Sequence, residues 1–95
     1  MDETNDNKIF VGNKPFMNYV TGVIMQFTTK EASEVIVKSR GKYISRAVDV
    51  VEVALNKFLK DEISLKDVKI GSEIFTNNLG KEVRVSTIDI ILVKN

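Results

Sequence analysis

The stretch from residue 34 to residue 59 constrains the fold most, because it joins a strand pattern to a helix pattern. Residues 34–38 are centred on three β-branched side chains, which favour a pleated strand. Residues 44–59 then place apolar side chains at three- and four-residue spacings, which is typical of a helix with one wide buried face. A strand that leads directly into such a helix predicts an α/β domain.

The turn between this strand and this helix, residues 38–46, is called the basic turn below. Four cationic residues occur in it, with no acid among them: Lys38, Arg40, Lys42 and Arg46. Unpaired N–H groups at the start of a helix add to these charges, and the combination suits phosphate. Two interpretations are open: a phosphate-binding turn, or a solvated turn that is basic by chance.

Apolar spacing predicts four further elements: a strand at Lys8–Val11, a helix at Phe16–Phe27, and strands at Val68–Thr76 and Lys81–Lys94. Pro15 suits the first position of the helix, where its missing N–H costs nothing. Residues 63–68 are expected to be a link, and the strand after them to be half-buried. The last two strands form an antiparallel hairpin. The order β-α-β-α-β-β predicts a two-layer α/β sandwich with helices packed on one sheet.

The tip of the predicted hairpin, residues 76–84, carries few apolar side chains. Asn77, Asn78 and Gly80 are residues that accept the positive φ angles of a tight turn. We expect this segment, which includes Lys81, to project beyond the core as an arm. An ordinary mobile loop is an equally good interpretation of the same residues.

The chain has no cysteine and no histidine. Their absence removes disulfides, thiol nucleophiles, imidazole and thiolate metal ligands, and histidine acid–base chemistry. No pair of acids has a motif around it, so we predict neither a metal site nor a cofactor, and an enzyme is disfavoured. We also expect the phenylalanines to serve the core rather than to stack bases: Phe10, Phe16, Phe27 and Phe75.

Size and charge predict one domain at residues 8–95, preceded by a flexible acidic tail at residues 1–7. Three of the 13 acids lie in the first six residues, so the rest carries 14 basic against 10 acidic residues, a net charge of +4. No run of apolar residues is long enough to span a membrane, and the N-terminus lacks the regions of a signal peptide. These features predict an intracellular, cytoplasmic protein.

Four segments resemble the Alba family of small archaeal chromatin proteins: Val11–Val20, Val37–Asp49, Asn56–Leu59 and Val85–Ile90. They occur in the family's order, and the resemblance extends over nearly the whole chain, from Ile9 to Val93. The resemblance implies a fold like the C-terminal domain of translation initiation factor 3. It also implies a chromosome-associated homodimer that binds double-stranded DNA, and often RNA, with its hairpins along the minor groove and its body over phosphates.

The resemblance also implies roles for individual residues. Lys14 matches the second lysine of the family's Gly-Lys-Lys-Pro loop, and Asn13 stands where the first lysine, an acetylation site in some members, is found. Arg40, Lys42 and Arg46 match basic positions of the family's Lys-Ala-Arg-Gly-Arg-Ala-Ile-Ser-Lys motif, which implies contacts with nucleic acid. We assign Lys38, at the start of the basic turn, to the same site. Arg84 matches an arginine near the end of the arm. Phe58 matches a phenylalanine that joins neighbouring dimers, although a plain core position is the alternative.

This chain departs from the family in two respects. Tyr43 replaces a usually small residue beside the basic turn, and the net charge is only +1, whereas many relatives are strongly basic. We therefore expect weaker binding to generic DNA and more room for selectivity. Two other functions stay open: an RNA-directed protein, such as a ribonucleoprotein subunit, and a protein-interaction module that uses the face of the second helix.

Overall fold

The computed structural model describes residues 7–95 and confirms the predicted order of elements. In chain order they are β1 (Lys8–Phe10), α1 (Phe16–Thr28), β2 (Glu34–Arg40), a 3₁₀ turn (Gly41–Tyr43), α2 (Ile44–Val53), a π-helical turn (Ala54–Phe58), β3 (Ile63–Thr76) and β4 (Glu82–Lys94). The strands form one sheet in the order β1-β2-β4-β3, in which only β1 and β2 are parallel. The predicted two-layer α/β sandwich is thus the observed fold.

Alternation along the central strands places the core on one face of the sheet. Val35 and Val37 of β2 are buried, as are Ile88, Ile90 and Leu92 of β4, and these side chains face the helices. Helix α1 adds four buried hydrophobic side chains to this layer: Tyr19, Val20, Val23 and Phe27. The opposite face of the sheet, called the outer face below, carries Lys38 and Arg40, because they alternate with the buried residues of β2.

The end of the second helical segment departs from the regular helix that the apolar spacing predicts, and this changes the position of Phe58. At residues 54–58 the helix widens into a π turn, and the Leu59 N–H donates to the Ala54 carbonyl at 2.9 Å. One extra residue in the turn rotates the chain that follows it. As a result Leu59 enters the core, while the side chain of Phe58 is 48% exposed. The interpretation of Phe58 as a core residue is therefore wrong for the single chain.

The third strand differs most from the prediction. It begins at Ile63, so residues 63–68 form a strand rather than a link, with a register shift between Leu65 and Asp67. It was expected to be half-buried, yet every residue after Ile63 is exposed. The reason is its place at the edge of the sheet, beyond the cover of the helices. On the helix side it exposes an apolar row: Leu65, Val68, Ile70 and Ile74.

Two boundaries near the basic turn also differ. Strand β2 runs to Arg40 rather than Lys38, because its last residue still pairs with Thr87 of β4. Pro15 precedes α1 as its cap, with an extended ψ of 139°, rather than lying in its first turn. Lys38 and Arg40 are therefore strand residues with fixed directions, and the cations of the basic turn do not share one flexible loop.

Most of the predicted acidic tail lies outside the described residues. Asn7, its last residue, is held against β2 in the structure: its side-chain amide donates to the Glu34 carbonyl at 2.9 Å, and its own carbonyl accepts the Ile36 N–H at 3.0 Å. The ordered domain thus includes Asn7. Within residues 7–95, neither helix has the length and apolar character that a membrane crossing requires.

Candidate nucleic-acid interface

The loop between β1 and α1 is fixed by a buried tyrosine. The Tyr19 hydroxyl accepts the Gly12 N–H at 3.0 Å and the Lys14 N–H at 2.9 Å. Because Tyr19 belongs to α1 and is itself in the core, the loop is held against the helix that follows it. The side chains of Asn13 and Lys14 remain exposed. A rigid loop that presents a cation loses little entropy when it meets a phosphate.

Arg46 has a different place from the one the motif assigned to it. Its Nη1 donates to the Gly12 carbonyl at 2.7 Å, and its guanidinium lies 5.8 Å from the centre of the Tyr19 ring. It is half-buried and ties α2 to the β1–α1 loop. The prediction of Arg46 as a phosphate ligand is untested, but its primary contacts in the structure are within the protein. These contacts bring the loop beside the basic turn.

The basic turn changes direction at Gly41. Its φ of +61° lies in the left-handed region, where a side chain would be strained although there is open space around it. This geometry leaves Lys42 fully outside the sheet, with its Nζ 5.4 Å from the centre of the Tyr43 ring. Among the described residues no ion pair involves Lys42 or Lys14. The cations of the loop and of the tip of the turn therefore have no acidic partner among the described residues.

The two strand cations are partly neutralised on the outer face. Lys38 Nζ lies 2.9 Å from Asp89 Oδ1, directly across from it on β4. Arg40 Nη1 lies 3.1 Å from Glu73 Oε1 and its guanidinium stands 5.9 Å from the centre of the Phe75 ring. The Lys38–Asp89 pair is partly buried, whereas the Arg40–Glu73 pair is exposed and contributes little to stability. They do reduce the field that a phosphate would meet.

The hairpin arm is well formed at its tip. The Asn77 side-chain oxygen accepts the N–H groups of Leu79 and Lys81, and Gly80 adopts a φ of +79° that closes the turn. Asn77 therefore holds the turn together, while Asn78, Gly80 and Lys81 lie on the surface.

Arg84, at the base of this tip, donates to Ser72 Oγ at 3.1 Å. Side chains two residues apart on a strand share a face of the sheet. Arg84 is four residues from Ile88 and six from Ile90, which face the helices, so it lies on their side, whereas its neighbours Val83 and Val85 lie on the other. Arg84 is therefore on the opposite face of the sheet from Lys38 and Arg40. The predicted site does not form one surface patch: the loop, the turn and the outer face are together, and the arm stands apart.

The structure adds aromatic residues that the sequence interpretation assigned to the core. Phe10 is 63% exposed and Phe75 is also exposed, so this assignment was wrong for both. Phe10 lies between Ile9 and Val11, which face inward, so strict alternation along β1 could have identified Phe10 as an outward-facing residue. Glu73 beside Arg40 carried no sequence signal, because only the register of the hairpin brings it there. Among the described residues no group of three acids could hold a metal ion.

The fold and this surface define a small α/β binding domain with a rigid cationic loop and turn beside an exposed hairpin. The Alba family model matches residues 7–72, and the chain belongs to the Alba family. The resemblance inferred from the four sequence segments is thereby confirmed.

Two relatives and one solved structure show how close the match is. The chain is 51% identical to the DNA/RNA-binding protein Alba of Methanococcus maripaludis, over 94% of this chain and 99% of the relative. It is 49% identical to the DNA/RNA-binding protein Alba 1 of Archaeoglobus fulgidus, over 94% and 97%. The structure of Alba from Thermoplasma volcanium superposes with a TM-score of 0.84 at 42% identity, covering 92% of this chain and 99% of that one.

Proposed function

We propose that this protein is a homodimer that binds double-stranded DNA and associates with the chromosome. The observation that carries the proposal is the pair of uncompensated cations, Lys14 and Lys42, on a rigid loop and the adjoining turn. Both relatives above are named DNA/RNA-binding proteins. Duplex RNA is the second candidate ligand, because those names join the two nucleic acids.

Phosphate contact is the source of affinity in this proposal. Lysine and arginine side chains that neutralise phosphates release counterions, which gives binding without reading the sequence. Lys14 and Lys42 make these contacts directly. Arg40 contributes through the guanidinium N–H groups that its single contact with Glu73 leaves available. Arg46 acts through the loop that it holds.

We place the contact with the second copy of the chain at the apolar row of β3. The four side chains of this row lie on one face of an edge strand, each about half exposed or more, and Ile70 is 83% exposed. An exposed apolar face on a long edge strand is a site of association unless it is covered. A second copy buries it with a chemically identical, self-complementary face.

The arms then extend the contact beyond the dimer body. Arg84 and the tip residues Asn78 and Lys81 are exposed on a hairpin that stands clear of the helices. A narrow minor groove accepts such an arm, and its degenerate pattern of acceptors gives little base readout. The proposal therefore combines phosphate contacts from two bodies with groove contacts from two arms.

The test is equilibrium binding to a short random-sequence DNA duplex and to the RNA duplex of the same sequence. Lys42→Ala should weaken binding to every sequence similarly. Lys30→Ala is the charge-matched control, because Lys30 is exposed at the far end of α1, about 20 Å from the cationic loop by the helical rise. Equal losses in both variants would show that only net charge matters and that this surface is not the interface. Tighter binding of the RNA duplex would favour the second candidate.

A further inference from the structure

We propose that the pocket beside the basic turn binds an unpaired nucleotide whose base carries an exocyclic amino group. The inference rests on the proposed nucleic-acid binding and adds a ligand class to it: duplexes with a single-stranded end or bulge. The pocket has a volume of about 440 Å³ and lies between the end of β1 and the hairpin. This is within the range of small-molecule sites. Its functional lining consists of two aromatic, two cationic and one acidic side chain: Phe10, Tyr43, Lys38, Arg40 and Glu73.

Phe10 provides the stacking surface. It is 63% exposed at the rim of the pocket, on the outer face of the sheet, with the buried Val11 next to it in the chain. Proteins that bind single strands stack successive bases on aromatic side chains beside a cationic groove. Phe10 with Arg40 has both features, and Tyr43 adds a second ring to the lining. A flat unpaired base fits this arrangement, whereas a paired base has its faces covered within the duplex.

Glu73 provides the polar discrimination. Its carboxylate is held by Arg40 at 3.1 Å through one oxygen, and a carboxylate has further lone pairs that can accept hydrogen bonds. Cytosine offers an amino group to such an acceptor, and adenine and guanine carry amino groups as well, whereas uracil and thymine present a carbonyl oxygen at the corresponding edge. The pocket should therefore favour cytidine and adenosine over uridine and thymidine.

The position of the pocket links it to the duplex surface. Gly12 and Tyr43 line it, and they are neighbours of the loop and turn that carry Lys14 and Lys42. A nucleotide that leaves a duplex held by these lysines thus enters the pocket within the same bound complex, at high effective concentration. The apolar row of β3 lies on the other face of the sheet, so the proposed dimer leaves the pocket open.

The experiment compares a blunt duplex with the same duplex carrying a short overhang of cytidines or of uridines, in DNA and RNA forms. A stacked base contributes enough to tighten binding roughly 5- to 150-fold, so the cytidine overhang should show a gain of this order over the blunt end. Phe10→Leu should remove most of the gain and leave the affinity for the blunt duplex unchanged. Glu73→Gln should retain much of the gain but lose the preference for cytidine over uridine.

Controls separate the pocket from general effects. Phe58→Leu changes an exposed phenylalanine outside the pocket and should retain the gain. A thermal melt of Phe10→Leu should match that of the wild type, because the side chain is exposed. A gain in only one of the two nucleic acids still supports the pocket and identifies the source of its nucleotide.

Equal affinity for blunt and overhanging duplexes would overturn this inference and leave the duplex function standing, as would a gain that survives Phe10→Leu. Binding of the overhang strand alone, with no binding of the blunt duplex, would overturn the duplex function and support the pocket. If neither is bound, both proposals fail.

Discussion

Arg46→Ala separates a structural role from a phosphate-binding role at the centre of the proposed interface. In the structure Arg46 donates to the Gly12 carbonyl at 2.7 Å and stands over the Tyr19 ring at 5.8 Å. A hydrogen bond from a charged donor contributes about 1.5–3 kcal/mol, and an exposed cation–π contact about 0.5–1 kcal/mol. Because Arg46 is half-buried, water can replace part of the lost bond. We therefore expect a loss of about 2 kcal/mol in the free energy of unfolding.

Thermal and urea unfolding at fixed protein concentration measure this loss. For a domain of this size it lowers the Tm by roughly 8–16 °C. Lys42→Ala is the reciprocal control: its stability should change by less than about 0.5 kcal/mol, because Lys42 is exposed. For DNA binding we expect the opposite: Lys42→Ala has the larger effect. Lys42→Ala should reduce the magnitude of the salt slope by about 0.9 per protomer, whereas Arg46→Ala should leave the slope unchanged.

One pattern of results would refute this reasoning. If Arg46→Ala keeps the Tm of the wild type and loses as much of the salt slope as Lys42→Ala, the guanidinium acts on a phosphate. The contact with Gly12 would then be incidental, and the rigid loop would need another explanation.

The remaining predictions concern assembly and charge. Ile70→Asp should convert the proposed dimer to a monomer in sedimentation, because it places a charge in the apolar row. Leu79→Asp, at the equally exposed hairpin tip, is the control and should remain dimeric. If both variants are dimers, the row is not the interface. Phe58→Ala should abolish cooperativity on long DNA and cost less than about 1 kcal/mol, whereas a loss of about 3–5 kcal/mol would show that Phe58 is buried in the dimer. Asn13→Lys should raise affinity for all sequences and steepen the salt slope by about 1 per protomer. An unchanged slope in that variant would mean that the loop does not face phosphates.

The sequence was sufficient for the order of elements and the position of the basic turn. Both depend on local patterns: β-branched residues at 34–38, a stripe of period 3.6 from residue 44, and a two-strand pattern at the end of the chain. The π turn could not be predicted, because the 3.6-residue apolar spacing does not distinguish Phe58 from Leu59 as the buried residue. Local pattern also cannot tell which strand lies at the edge, so the exposure of β3 was missed.

The candidate site was predicted less completely than the fold. The cations of the turn are chain neighbours, so their grouping was visible in the sequence. Their partners are not: Asp89 reaches Lys38, and Glu73 reaches Arg40, through strand pairing over long separations. The contact of Arg46 with Gly12 depends in the same way on packing between α2 and the loop. Sequence motifs identified which residues carry charge, and the tertiary structure determined which of those charges are already engaged.

The dependence of affinity on salt tests the central proposal most directly. Two protomers that contact roughly 6–10 phosphates should give a plot of log K against log salt with a slope of about −5 to −9. The measurement uses the wild-type protein and a random-sequence DNA duplex over a range of potassium chloride concentrations. A steep linear fall in this range is the predicted result. Binding that does not change with salt would contradict phosphate-led recognition by the cationic loop and turn.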